Sequence, residues 1–246
     1  MIEAFVWGLV AAGSLLLGAV VAVIRPPGQR LLGLIMGFGS GVLLSAVSFE
    51  LVAPGVTAAD GSGASAVGLF TGAAVFTVGD ILIGRFNRRN QGTSGQTEND
   101  GQSGLDIALG ALLDGVPETA VLGLTLRQTG KVGAAMLVAV FVSNGPEGIA
   151  ASVTLLESGW TRAKVFSLWI GIVLISATSA AVGYALLDPA SSPGLLAFIY
   201  AFAAGAILTM LATSMMPEAY QKAGRMVGFI TVVGFAVAFG IGLLEG

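Results

Sequence analysis

Long apolar runs separated by short polar stretches divide the chain into eight segments. Each run is about 18–25 residues long, enough for a helix to cross the hydrocarbon layer of a bilayer, which is roughly 30 Å thick. The pattern therefore predicts an all-α membrane protein with eight transmembrane helices. The predicted spans cover residues 3–24, 31–52, 66–84, 105–126, 132–156, 163–187, 195–216 and 225–244.

Prolines and polar residues mark where several of these spans are predicted to end. Span one stops before Pro26, span two at Pro54 and span seven at Pro217. Residues 85–104, between spans three and four, are rich in Gly, Ser, Asn and Gln, a composition typical of a flexible linker. We therefore expect a single polytopic transmembrane domain over residues 1–246, with 85–104 as a cytoplasmic linker.

Composition supports the membrane class and excludes several kinds of chemistry. Hydrophobic residues make up 55% of the chain and charged residues only 10%, against roughly 25% charged in soluble domains. There are no cysteines and no histidines, so disulfides, thiolate or imidazole metal ligands and His- or Cys-based catalytic triads are excluded. The net charge of -3 gives no basic surface for nucleic acid, and we expect no nucleic-acid partner.

The distribution of Lys and Arg predicts the orientation in the membrane. Loops after the odd-numbered spans hold nine basic residues, whereas the other loops hold only Arg127 and Lys131. Basic residues collect on the cytoplasmic side, so both termini are predicted to lie outside. The first apolar run has no basic residue before Arg25 and is interpreted as a span, not as a cleaved signal peptide. We expect the protein in the inner (plasma) membrane of a bacterium.

Spans two and seven share a short sequence pattern. Gly41-Val42-Leu43-Leu44-Ser45 aligns with Gly205-Ala206-Ile207-Leu208-Thr209, and both stretches lead to a proline and an acid. The two spans run in opposite directions, as expected for the inverted repeats of secondary transporters. The prediction is a 3+2+3 arrangement, in which spans one to three and six to eight are repeats around the central spans four and five.

The central spans each carry a Pro-Glu pair inside an apolar run. These are Asp114-Gly115-Val116-Pro117-Glu118-Thr119 and Ser143-Asn144-Gly145-Pro146-Glu147-Gly148. An ionised acid at the centre of a span costs about 2.5–3.5 kcal/mol even on lenient insertion scales. A proline there leaves a helical carbonyl without its donor. Two neighbouring spans with both features indicate a shared polar site.

Helical spacing places the polar groups of each motif on one face. Asp114 lies four residues before Glu118, and Ser143 and Asn144 lie four and three residues before Glu147. Three such acids cost roughly 8–10 kcal/mol if they are ionised and unpaired. With no basic residue in the interior of any span, only protons or a bound cation can neutralise them. Ligation by oxygen alone favours divalent ions such as Mg, Ca, Mn, Fe or Zn.

These motifs resemble those of the ZIP family of divalent-metal transporters, which have eight spans, external termini and a His-Asn-x-Pro-Glu-Gly type motif in spans four and five. The resemblance implies that Glu118 and Glu147 bind the metal and that Glu147 is placed to bridge two metals. Asp114 falls at the position of a ligand histidine, and Ser143 and Asn144 fall at ligand positions. Further matching stretches are Ser48-Phe49-Glu50-Leu51, Gly79-Asp80 and Met216-Pro217-Glu218-Ala219.

The chain also departs from this family. The family histidines are missing, Gly115 replaces the motif asparagine, and span six carries no acid. The resemblance thus implies a divergent member that binds one metal rather than two. The metal (Zn, Mn, Fe, Cd or similar) is expected as the substrate, with no organic cofactor, and a homodimer is one expected assembly.

The resulting hypothesis is a carrier that moves a divalent cation into the cytoplasm by alternating access. Glu50, Asp80 and Glu218 are candidate gate or pathway residues, with solvated helix ends or interfacial ion pairs as the alternatives. Two other functions stay open: a proton-linked carrier of another cation or solute, and a ZIP-like protein that does not transport. We do not expect an enzyme. An intramembrane aspartyl protease would need two catalytic aspartates close together, and the two aspartates in the interior of spans, Asp80 and Asp114, lie at different predicted depths.

Overall fold

The structure is a computed structural model that describes residues 1–59, 61–91, 104–186 and 192–245, and in these ranges every regular element is helical. Eight helices there are long and apolar enough to cross a membrane. The prediction of an eight-span, all-α membrane protein is confirmed. In order, the spans are formed by Ile2–Ile24, Gln29–Ala59, Ala64–Gln91, Gly104–Thr129, Ala134–Glu157, Arg162–Leu186, Pro193–Ala223 and Met226–Glu245.

The sequence predicted that span two ends at Pro54 and span seven at Pro217, and both predictions are wrong. Each span continues past the proline, to Ala59 in span two and to Ala223 in span seven. Pro54 and Pro217 are each the second residue of a new α-helical segment, Ala53–Ala59 and Met216–Ala223. In each case the residue before the proline bonds five positions back, Ala53 N–H to the carbonyl of Ser48 and Met216 N–H to that of Leu211, so the proline follows a π-turn and not an α-turn.

Both spans are interrupted in the same way. Span two has an 18-residue α-helix, a π-helix at Val47–Val52 and a 7-residue α-helix. Span seven has an 18-residue α-helix, a π-helix at Leu211–Met215 and an 8-residue α-helix. The two spans correspond under a shift of 164 positions. The first residue of span two, Gln29, then falls on Pro193, the first of span seven, and the first residue of its π-helix, Val47, falls on Leu211. The inverted repeat therefore extends to the position of an uncommon helical form.

The boundary between the third span and the linker also differs from the prediction. The third helix continues to Gln91, so residues 85–91 of the predicted linker are helical. Residues 92–103 lie outside the described part of the chain. Pro117 and Pro146 lie inside continuous helices, Gly104–Thr129 and Ala134–Glu157.

The spans pack as two groups. Span one packs mainly against spans five and six, and span four packs against span six, whereas span three packs against span seven and span eight against span two. Glycines permit the closest contacts in the second group: a Cβ on Gly41 would overlap the carbonyl of Thr231, and one on Gly205 would overlap that of Leu69. Small residues let transmembrane helices approach closely, and here they do so at repeat-equivalent positions.

Candidate functional site

A cavity of ≈ 160 Å³ lies among the central spans and spans two and seven. We call it the carboxylate cavity. Its volume is far above the roughly 10–15 Å³ that one water molecule needs, so there is room for an ion with part of its water shell. The lining consists of Met36, Asp114, Glu118, Ser143, Glu147, Ala150, Ala151, Thr154, Met210, Ser214, Met215 and Glu218.

Helical spacing brings four motif side chains to this cavity. Asp114 and Glu118 line it from span four, and Ser143 and Glu147 line it from span five. In each pair the residues are four positions apart, so both side chains leave the helix on one face. The predicted convergence of the two motifs is thus seen in the structure for these four residues.

The backbone around Pro117 is held by hydroxyl groups. Ser179, on span six, donates a hydrogen bond of 2.8 Å from its Oγ to the carbonyl of Val116, and Thr119 donates one of 2.7 Å to the carbonyl of Gly115. Hydroxyl donors commonly satisfy backbone carbonyls where a proline interrupts a membrane helix. The span-four motif is therefore tied both to its own helix and to span six.

Several polar groups near the cavity are buried. Glu118 is only 1% exposed, and its Oε2 has no hydrogen-bond partner among the described residues. The Nδ2 of Asn144 and the Oγ of Ser176 are likewise buried without a described partner. Buried polar groups are nearly always satisfied in folded proteins, so an orphaned carboxylate oxygen beside a cavity is consistent with a binding site.

The ionisable side chains that line the cavity are all acidic. Four carboxylates line it, and none of the described lining residues is a Lys or Arg. Glu218 alone among the four has a described ion pair, with its Oε1 3.4 Å from the Nζ of Lys222. Asp114, Glu118 and Glu147 are left to share the cavity without a basic neighbour in its wall.

The acids line the cavity, but their carboxylates do not come together at one position. Within the described ranges, no three Asp, Glu, His or Cys side chains are close enough together to hold one metal ion. In this conformation, the arrangement is a polar chamber, not an assembled coordination shell.

The remaining predicted residues fall elsewhere. Asn144 is buried but is not part of the lining, whereas its neighbour Ser143 is. Glu218 lies at the cavity, at the end reached by Thr154, and Glu50 lies in a different cavity. Asp80 is exposed on span three and lines neither cavity.

Sequence reasoning missed five polar or polarizable groups of the lining: Met36, Thr154, Met210, Ser214 and Met215. Thr154 lies seven residues after Glu147, two helical turns along the same face, so its position was available from the spacing. Ser214 is the repeat equivalent of Glu50 under the shift of 164. Met36 carried no local signal, because only the packing of span two against span five brings it to the motif.

A second and larger cavity, of ≈ 770 Å³, lies on the side of the molecule where span four ends and span five begins. We call it the Glu50 cavity. Its polar residues are Ser45, Glu50, Thr125, Gln128, Thr129, Lys131 and Tyr200, and its wall includes Phe49, Ala46, Ala135 and Phe239. The Tyr200 hydroxyl donates a 2.7 Å hydrogen bond to Oε1 of Gln128, which joins spans seven and four across this cavity.

Buried apolar side chains separate the two cavities. On span five, Ala139 has no exposed surface and lies between Ala135 of the Glu50 cavity and Ser143 of the carboxylate cavity. Val42 and Leu43 on span two, and Val121 and Leu122 on span four, are buried at the same level. The two cavities are thus closed off from each other.

No family profile and no curated protein sequence matches the chain. The residues and geometry of the two cavities are therefore what indicate the function.

Proposed function

We propose that this protein is a ZIP-like carrier that moves a divalent cation across the membrane by alternating access through the carboxylate cavity. The observation that carries the proposal is that Asp114, Glu118 and Glu147 line one buried chamber whose described wall has no basic side chain. An uncompensated acid at this depth costs about 2.5–3.5 kcal/mol. A divalent cation in the chamber offsets two of the three negative charges, and a proton can neutralise the third.

The two cavities support alternating access. They lie on opposite sides of the apolar layer around Ala139, and the inverted repeat places equivalent parts of spans two and seven in their walls. In inverted-repeat transporters, the two halves exchange conformations around a site near the midplane. In a carrier of this kind, one conformation connects the ion site to one side of the membrane while the apolar layer blocks the path to the other side. The Lys and Arg distribution supports external termini, and the resemblance to ZIP carriers is the basis for proposing inward transport.

The lining favours borderline ions over the hardest ones. Carboxylate and hydroxyl oxygens suit Mg, Ca and Mn, whereas thioethers prefer softer ions. Met36, Met210 and Met215 add three thioethers to the oxygen-rich wall. We therefore propose Zn, Cd, Fe or Mn as substrates ahead of Mg or Ca.

Uptake by proteoliposomes tests this proposal. The parent protein is expected to accumulate at least one ion from a panel of Zn, Mn, Fe, Cd, Mg and Ca. Glu147→Ala should reduce uptake at least tenfold, because it removes one of the three acids that neutralise the ion. Glu157→Ala, which removes an exposed acid at the end of the same span, serves as the matched control.

Two outcomes would reject the site. Flux that is unchanged in Glu147→Ala, with the protein folded by size-exclusion chromatography, would show that the ion does not depend on this chamber. Equal loss of flux in the Glu147 and Glu157 variants would attribute the effect to general damage to span five.

A proton-linked carrier of another cation or solute is the second candidate. It is favoured by the spacing of the acids, since no three of the described acids converge on one metal position. Protons can neutralise separated carboxylates one at a time. Proton movement on addition of solutes, measured with a pH dye inside the liposomes, would support this carrier if the divalent ions give no uptake.

A further inference from the structure

The Glu50 side chain, on span two, reaches the beginning of the neighbouring span five. Its carboxylate lies against Gly133, so closely that a Cβ on this glycine would overlap Oε2. Gly133 is the N-cap residue of the helix Ala134–Glu157. The backbone of Gly133 has φ -62° and ψ 112°, which any residue can adopt. The lack of a side chain at this position is therefore explained by the nearby carboxylate and not by the backbone.

The electrostatics of this contact are favourable. The N-terminus of a helix carries a partial positive charge, and a carboxylate placed there is stabilised, more strongly when it is partly buried. Glu50 is part-buried in the wall of its cavity. The contact therefore joins opposite charges in a place where water screens them only partly.

The contact adds to the direct packing of span two against span five, where the two packing groups meet. Glu50 belongs to span two, which packs against span eight, and Gly133 begins span five, which packs against span one. Both residues line the Glu50 cavity. At the repeat-equivalent place on span seven stands Ser214, which has no charge to offer in the same role. A contact of this charged kind is therefore found in the Glu50 cavity and has no equivalent at Ser214.

Glu50 lies within the π-helix Val47–Val52. A π-turn contains one residue more than an α-turn, so conversion to a regular helix rotates the residues on one side of it by about 100° relative to the other. Such a rotation is enough to move the carboxylate off Gly133. The span therefore contains a local means of making and breaking the contact.

We propose that the contact between Glu50 and Gly133 is a latch that holds the Glu50 cavity shut off from the carboxylate cavity. The proposal rests on the proposed function for its pathway, but it concerns which end of that pathway is open. With the latch made, the apolar layer around Ala139 stays packed. With the latch broken, the population shifts toward a state in which the Glu50 cavity reaches past Ala139.

Single cysteines can report the two states, because the chain has no cysteine of its own. Ala139→Cys reports the apolar layer below the Glu50 cavity, and Ala151→Cys reports the carboxylate cavity. Each is placed in the parent, in Glu50→Gln and in Gly133→Ala. The full chain, purified in detergent, is reacted with a charged methanethiosulfonate reagent, and the labelling rate is measured.

Breaking the latch should change the two reporters in opposite directions. We expect Ala139→Cys to react at least about fivefold faster in both latch variants, and Ala151→Cys to react more slowly, as a population shift requires. Gly171→Ala is the matched control, since a methyl group there meets nothing within 4 Å. Combining Glu50→Ala with Gly133→Ala should add nothing to Glu50→Ala alone, because the methyl group acts by displacing the carboxylate.

Two results would overturn the latch. Labelling of Ala139→Cys at the control rate in both Glu50→Gln and Gly133→Ala would show that the contact does not hold the layer closed. Faster labelling at both reporters would show general loosening and not a shift between two states. Neither measurement depends on ion uptake, so a protein that moves no divalent ion can still pass or fail this test.

Discussion

The two cavities are built on equivalent positions of the repeat and differ in the chemistry placed there. Under the shift of 164, Met36 of the carboxylate cavity corresponds to Tyr200 of the Glu50 cavity. Met210 corresponds in the same way to Ala46. The backbone thus repeats, with a π-helix at the same place in each span, while the side chains do not.

The central pair of spans supplies the difference. Asp114, Glu118 and Glu147 all lie toward one cavity, which has a volume of ≈ 160 Å³, whereas the central spans give the ≈ 770 Å³ cavity only neutral groups and Lys131. The comparison teaches that the repeat shapes both cavities and that the Pro-Glu motifs place the acids of the central spans in only one of them. Each of the following predictions tests one part of that distinction.

The largest expected effect is the loss of stabilisation by a cation when the carboxylate cavity is altered. A divalent ion at about 100 times its Kd stabilises the folded protein by about 2.7 kcal/mol. This raises the melting temperature by about 5–10 °C for a chain of this size. Glu118→Gln should abolish this rise, because it removes a charge from the chamber, and thermal melts in detergent measure it.

Glu157→Gln, which removes an exposed acid outside both cavities, is the control, and Glu50→Gln removes an acid from the other cavity while leaving Asp114, Glu118 and Glu147 in place. The rise should persist in both variants. If Glu118→Gln and Glu50→Gln abolish the rise equally, the two cavities do not differ in holding the ion, and the comparison fails.

A smaller effect is expected from glycines at the helix contacts of the repeat. Gly41→Ala and Gly205→Ala each force a methyl group against the backbone of the neighbouring span, and overpacking of this kind costs about 1–3 kcal/mol. The two costs, measured by thermal unfolding in detergent, should be similar because the contacts are repeat-equivalent. Gly240→Ala, which meets nothing within 4 Å, should be neutral.

A large cost at one of these two glycines and none at the other would contradict the equivalence. The repeat would then describe the helix lengths but not the packing.

The smallest effect is expected at Ser179, which ties span six to the span-four motif. Ser179→Ala removes its 2.8 Å hydrogen bond to the carbonyl of Val116, at a cost of about 0.5–1.5 kcal/mol. Because Val116 directly precedes the Pro-Glu pair, ion affinity should fall by no more than about tenfold, as seen by titration of the thermal shift.

Thr178→Ala, one position earlier, removes a hydroxyl whose one hydrogen bond among the described residues is within its own helix, to the carbonyl of Leu174. It should leave ion affinity unchanged. A loss at Thr178 as large as that at Ser179 would show that the tie to span four has no particular role.

Much of the fold followed from local patterns. The eight spans followed from apolar runs of membrane length, and the convergence of Glu118 and Glu147 followed from helical spacing in two adjacent spans. The ends of spans two and seven did not follow, because a proline reads as a stop unless a new helical segment starts just before it. Whether Pro54 ends or begins a helix depends on the π-helix ahead of it.

The sequence by itself determined the membrane class, the number of spans and the pair of motifs, since these depend on hydropathy, length and periodicity along one helix. Only the tertiary structure decided that Met36 joins the acids, that Asn144 does not, and that Glu50 meets Gly133. The physical reason is that these relations depend on how far one helix is rotated and displaced against another. That placement is set by close packing over whole surfaces, and no short stretch of sequence records it.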